Sequence, residues 1–244
     1  MKYGILGDIH ANLSALQAVF ARMDAIGVDA YVSVGDVVGY GAAPGECIAI
    51  LQERGVHTVL GNHDAACADL LDDMHFNPYA RAAVAWTRGA LDAREIGWLR
   101  ELPLHLTLDH CEVSHGTIHR PELFDYLLSV TDADPSLDII ERPVGFVGHS
   151  HIPLSVMRFA DVPDQTAYSF DAQIDLSSTS KAIVNAGSVG QPRDEDPRAA
   201  FVVYDAETRQ VEILRTEYDI DLEADRIRAA GLPDVLAERL KLGV

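Results

Sequence analysis

Five short segments concentrate the residues able to do chemistry: Gly7-Asp8-Ile9-His10, Gly35-Asp36, Gly61-Asn62-His63-Asp64, His115-Gly116 and Gly148-His149-Ser150-His151. Asp8, Asp36, Asn62, His10, His115, His149 and His151 supply oxygen and imidazole donors suited to a pair of divalent metals, leaving His63 free for catalysis. Asp-x-His and His-x-His place two donors on one extended segment or tight turn, and the neighbouring glycine lets the backbone bend sharply. Singly each segment is weak, because the chain holds 18 Gly and 10 His; all five together are specific. Mixed nitrogen and oxygen donors favour Mn, Fe or Zn over Ca, and no thiolate is placed to enforce Zn. His57, His75, His105 and His110 fall in none of these segments and read as surface or core residues.

The elements that must position these donors follow from apolar patterning. Tyr3 to Leu6, Tyr31 to Val34 and His57 to Leu60 are short apolar runs, each ending at a motif. Leu13, Leu16, Val19, Phe20 and Met23 recur at helical spacing up to Gly27, and Pro44 opens a second helix that ends near Gly55. Strand, motif and helix therefore repeat three times, the pattern of a parallel sheet whose ligands lie beyond the carboxyl ends of its strands. Helical patterns follow near Tyr79 to Leu91 and Ala93 to Leu102. Leu104 to Leu108 and Glu112 to Ser114 then read as a strand pair delivering His115, and Val144 to Val147 precedes Gly148-His149. Leu154 to Phe159, Tyr168 to Leu176, Ala182 to Asn185, Ala200 to Tyr204 and Val211 to Arg215 read as mainly antiparallel strands of a second sheet. The acidic stretch Thr131 to Glu141 reads as a solvated loop or short helix, and helical patterns near Leu222 to Ala230 and Val235 to Leu242 close the chain. These elements predict an α/β fold with two sheets packed face to face and helices outside, within a single domain spanning 1–244.

Bulk properties narrow the function classes. Net charge is −19 with only 19 basic residues, which disfavours a grip on long nucleic acid, where Lys and Arg must neutralise phosphates. No apolar stretch approaches the ~18 residues a membrane span requires. Cys47, Cys67 and Cys111 are odd in number and show no Cys-x-x-Cys spacing, so a disulfide framework is not expected, and a cytoplasmic, reducing location is. Oligomeric state is not legible in any pattern.

The ordered segments resemble the calcineurin-like metallophosphoesterase superfamily, whose blocks run GDxH, GDxxxxG, GNH(D/E), a lone His and GHxH. The resemblance spans Asp8 to about Arg198 and implies a four-layer αββα sandwich of two mixed sheets flanked by helices. It implies one metal held by Asp8, His10, Asp36 and His151, and a second held by Asp36, Asn62, His115 and His149, with Asp36 bridging. Mn²⁺ is the metal the resemblance favours, with Fe, Zn, Ni or Mg as substitutes. A hydroxide shared by the metals would attack phosphorus, and His63 would protonate the leaving oxygen or steady the transition state. Asp64 would orient His63 or cap the following helix. His119 and Arg120, just beyond a ligand, could reach the substrate phosphate, although related sequences often carry a shorter loop with Arg there. Asn185-Ala186-Gly187-Ser188-Val189-Gly190-Gln191-Pro192-Arg193-Asp194 resembles a block of the compact bacterial and archaeal phosphodiesterase branch. There Asn185 and Ser188 would brace the metal loops and Arg193 would bind phosphate, or the block is simply a tight turn.

Protein phosphatases and tetraphosphatases of the superfamily usually carry GDxxDRG, whereas this chain has Gly35-Asp36-Val37-Val38-Gly39-Tyr40-Gly41. That departure favours a phosphodiesterase acting on a small phosphate ester, a nucleotide among the options. A phosphomonoesterase or phosphoprotein phosphatase is the alternative within the enzyme class. A non-catalytic metal-binding scaffold is the alternative outside it, although such a scaffold would not need Asp8, Asn62 and His63 together.

Overall fold

Apolar strand runs and the residues that cap the helices set the first half of the fold. The computed structural model describes residues 1–162 and 165–244. β1 (Lys2–Leu6), α1 (Leu13–Ile26), β2 (Ala30–Ser33), α2 (Pro44–Glu53), β3 (His57–Thr58) and α3 (Asn62–Cys67) alternate, with β1, β2 and β3 parallel. The Asn12 side chain caps α1 by accepting from the Ala15 N–H, and Gly27 closes it in the left-handed region. α4 (Pro78–Ala90), α5 (Ala93–Glu101), β4 (His105–Thr107) and β5 (Glu112–Ser114) follow, then α6 (Val130–Ile139), β6 (Val144–Val147), β7 (Leu154–Phe159) and β8 (Thr166–Ser169). β9 (Gln173–Asp175), β10 (Thr179–Asn185), β11 (Ala199–Asp205), β12 (Gln210–Thr216), α7 (Ile220–Ala229) and α8 (Asp234–Leu242) complete the chain.

Two mixed sheets of six strands each are flanked by the helices. Their orders are β3-β2-β1-β11-β12-β9 and β4-β5-β6-β10-β7-β8. Alternation along the strands makes the layers. Tyr3 and Ile5 of β1 and Val202 and Tyr204 of β11 meet Val113, Phe146 and Val184 of the other sheet. Their neighbours Leu6, Phe201 and Val203 face outward onto Leu16, Val19, Phe20 and Met23 of α1. On the far side α6 lays Ala133 and Leu137 against Val156 and Ile183, so the acidic stretch is a helix with one buried face.

The partition of strands differs from the expectation. β9, β11 and β12 do not join the second sheet; they extend the first, with β11 antiparallel to β1 from Lys2↔Asp205 to Leu6↔Phe201. β11 is buried on both faces, so its apolar run suits the centre of a sheet covered on both sides. The expected single strand from Tyr168 to Leu176 is two strands in different sheets. Ser169 and Asp171 hydrogen-bond each other in a local turn, with exposed Phe170 between them, and this ends β8 before β9 begins.

Candidate metal centre

Every proposed donor sits beyond the carboxyl end of a parallel strand. Asp8 follows β1, Asp36 follows β2 and Asn62 opens α3, while His115 follows β5 and His149 and His151 follow β6. Asp8, His10, Asp36, His149 and His151 all hold left-handed backbone, with φ of 44°, 48°, 52°, 67° and 62°. Non-glycine residues in that region cost of order 1–3 kcal/mol each and persist only where surroundings enforce them. Here cross-loop hydrogen bonds do so: the His10 N–H donates to Asp36 O at 2.9 Å and the Gly190 N–H to Asp8 O at 3.0 Å.

The donors gather into two buried triads, Asp8 with His10 and His151, and Asp36 with His115 and His149. Nε2 atoms of His10 and His151 lie 3.1 Å apart. Asp36 Oδ2 is 3.6 Å from His10 Nε2 and 3.4 Å from His115 Nε2, so one carboxylate oxygen reaches both groups. Asn62 Oδ1 lies 2.9 Å and His149 Nδ1 3.1 Å from His115 Nε2.

Proton bookkeeping shows that this donor set fits cations. His10, His115 and His151 each turn Nδ1 toward a backbone carbonyl, of Val38 at 3.0 Å, Val34 at 2.8 Å and Gln191 at 2.6 Å. A carbonyl only accepts, so Nδ1 carries a proton in all three and Nε2 is the nitrogen turned to the centre, available to a cation as a lone pair when unprotonated. Burial pushes His10 and His151 well below the usual imidazole range, leaving both neutral. Two lone pairs 3.1 Å apart have nothing to share but a cation. Burial, opposed by His115 and reinforced by Asp36, pushes the Asp8 carboxyl up to about 8. Burial also disfavours charge on His115, but Asp36 and Asp8 outweigh it and raise that imidazole to about 9. The two raised groups, Asp8 and His115, take up protons where the clustered carboxylates call for positive charge, the place a bound cation would fill.

A second tier fixes the loops. Asp64 accepts from the Val38 N–H at 3.0 Å and from the Gly61 N–H at 3.1 Å, tying two motif loops together as it caps α3. Asn185 Nδ2 donates to Gly148 O at 2.6 Å, and the Ser188 hydroxyl donates to Asp8 O at 2.7 Å, so both brace the loops from behind. Gly61 packs against Asp36 so closely that a Cβ there would stand 2.1 Å from Asp36 Oδ1 and 2.2 Å from its nitrogen. Gly61→Ala should therefore destabilise the chain by about 1–3 kcal/mol. Denaturant unfolding in excess chelator, which removes any contribution from metal binding, should show this loss; an unchanged midpoint would contradict the packing.

His63 projects into a pocket of about 440 Å³ shared with Asn62 and His149. Its ring lies 4.4 Å from that of Tyr40, 4.9 Å from His10 and 4.9 Å from Phe76, and its buried Nδ1 has no hydrogen-bond partner. Burial, opposed by Asp36, lowers it to about 4. His119 and Arg120 do not line this pocket; they line a neighbouring cleft with Asp125 and Asp132, and Tyr126 borders both. Arg193 lies behind Tyr40, donating to the Tyr40 hydroxyl at 3.4 Å and to Gln191 Oε1 at 3.0 Å. Its charge opposes protonation of His10, His63 and His151. Sequence patterns missed the opposite wall, where His75, Phe76, Phe124 and Tyr126 face the pocket. Only Tyr40 had a local signal, its place inside the second motif.

Residues 1–209 match the family model of the calcineurin-like phosphoesterase superfamily domain. The chain belongs to this superfamily. Within it, a metallophosphoesterase from Sphaerobacter thermophilus is 37% identical with a TM-score of 0.86, covering 100% of this chain and 99% of its own. An uncharacterized protein of Methanocaldococcus jannaschii is 34% identical over 245 residues, 98% of this chain and 97% of the relative. A hypothetical protein from Pyrococcus horikoshii, 21% identical, shares the fold with a TM-score of 0.80 over 100% of this chain and 98% of its own. This calcineurin-like chain is a phosphoester hydrolase. Among its described residues no helix is long and apolar enough to cross a membrane.

Proposed function

We propose that this chain hydrolyses phosphodiester bonds of a small nucleotide-type substrate at a two-metal centre. The observation that carries the reading is the pair of buried donor triads with an Asp36 oxygen within reach of both. Asp8, His10, Asp36 and His151 would hold one divalent ion, and Asp36, Asn62, His115 and His149 the other, Mn²⁺ first among candidates. When bound, the two ions would lower the pKa of a water to the neutral range and neutralise phosphoryl oxygens. The chain's own residues do the rest. The carbonyls of Val38, Val34 and Gln191 keep three imidazoles in the donor tautomer. The rings of Tyr40, His10 and Phe76 hold His63 at the pocket wall, from which it would face the leaving oxygen of a bound ester. Water gives up a proton as it adds to phosphorus, the bond to the leaving oxygen breaks, and that oxygen takes a proton from the protonated His63, whose proton the one released by water replaces.

The choice of diester over monoester rests on charge. A monoester carries one more negative charge, and the described pocket beside His63 has Asp72 but no Lys or Arg in its lining. Mn²⁺-loaded protein should hydrolyse bis-p-nitrophenyl phosphate at least as fast as p-nitrophenyl phosphate. A strong monoesterase without measurable diesterase activity would move the chain to the phosphatase reading. Three buried, unpaired cysteines fit a reducing, cytoplasmic location, and the net charge of −19 fits a small substrate better than long nucleic acid.

A further inference from the structure

The pocket beside His63 has a chemical character of its own. Tyr126 lies face to face with His149, centroids 3.9 Å apart at 20°, while its ring is half exposed. Phe76 lies in the same lining, packed against His63 with ring centroids 4.9 Å apart. Phe124 and Leu123 continue the apolar wall, and the volume of about 440 Å³ falls in the range of small-molecule sites. Apolar walls alone would suit any hydrocarbon, but polar groups interrupt them at one end.

Asn77 uses its carbonyl oxygen to accept from the Tyr79 and Ala80 N–H groups at the start of α4, which turns its amide N–H₂ elsewhere. Asp72 accepts from the Met74 N–H with Oδ1 alone. At its solvent-exposed rim the pocket thus sets a donor and an acceptor with no protein partner beside flat aromatic walls. A planar heterocycle with donors and acceptors on its edge would satisfy them. Away from the metal centre the lining carries Asp72 and no Lys or Arg, which suits an uncharged organic group attached to the phosphoester.

We propose that this pocket is a nucleobase site: the base of a nucleoside phosphodiester stacks on the half-exposed ring of Tyr126, with its polar edge toward Asp72 and Asn77 at the rim. The proposal rests on the diesterase reading of the metal centre and adds where the organic group lies. Base stacking on an aromatic side chain is sequence-tolerant, so Tyr126 sets affinity while Asp72 and Asn77 set preference among bases.

The test compares two monoanionic diesters with the same leaving group, thymidine 5′-(p-nitrophenyl) phosphate and methyl p-nitrophenyl phosphate, on the Mn²⁺-loaded protein. The thymidine ester should show about tenfold or greater kcat/KM, the difference residing in KM. Tyr126→Ala should collapse the ratio between the two esters and Tyr126→Phe should restore it, a pattern that loss of folding or metal cannot mimic. Equal kcat/KM for the two esters in the unaltered protein would overturn the base site and leave the diesterase reading standing. Hydrolysis of neither ester would overturn the diesterase reading beneath it.

Discussion

Asp36→Asn should strip the centre of both ions together, not of one. Asp36 Oδ2 stands 3.6 Å from His10 Nε2 and 3.4 Å from His115 Nε2, so it is the oxygen common to the two donor groups. An amide offers a neutral, weaker donor in its place and removes one of two negative charges from the buried centre. Loss of a supporting residue around a metal ligand typically costs 10–100-fold in metal affinity, and loss of a shared charged ligand should cost at least about 100-fold at each site. The informative contrast is with changes on one side only. His151→Ala touches the triad with Asp8 and His10, and Asn62→Ala touches the group around His115. Metal analysis after dialysis should find each of those variants short of one equivalent and Asp36→Asn short of both. Two full equivalents retained in Asp36→Asn would remove Asp36 from the bridging role.

That the proposed donors share one end of the sheets was legible in the sequence, because each is carried locally. A short apolar strand ends, the chain turns, and the motif occupies the turn, so strand ends and donors read together. The backbone cost is also local: Asp8, Asp36 and His149 take left-handed φ directly after a glycine, and His10 and His151 do so two residues further on in the first and last of these turns. Sheet membership is a different kind of information. β11 pairs with β1 across most of the chain, and nothing in Ala199–Asp205 names its partner; only a central slot buried on both faces does. Tyr168 to Leu176 failed for the same reason, since two short strands separated by an exposed turn carry the composition of one longer strand. The pocket wall is less legible still. His75 and Phe76 come from the segment before α4 and Tyr126 from the loop before α6, and only folding brings them into one lining. Asp64 shows where a motif residue's neighbours decide its task. With its oxygens engaged by the Val38 and Gly61 N–H groups, it braces loops, while His63 Nδ1 remains without a partner.

That unpartnered imidazole sets up the second large effect. His63→Ala should keep both metals, because no donor atom of either triad is removed, yet lose most of its rate on a poor leaving group. General acid catalysis is worth ~10²–10⁴-fold, and the loss should approach that range with an alkyl ester, whose oxygen must be protonated as it departs. Burial lowers the His63 imidazole to about 4 in the free chain, opposed by Asp36. A bound phosphoester brings a further negative charge beside it, which favours the protonated form. The loss should shrink with a p-nitrophenyl ester, because p-nitrophenolate leaves without a proton. The comparison separates the chemical role from a structural one: a ring that merely fills space between Tyr40, His10 and Phe76 would affect both leaving groups alike. Metal content and kcat on matched alkyl and p-nitrophenyl diesters are the measurements. Equal losses on the two esters, with both metals in place, would leave His63 as a support for the transition state or the site and not as its acid.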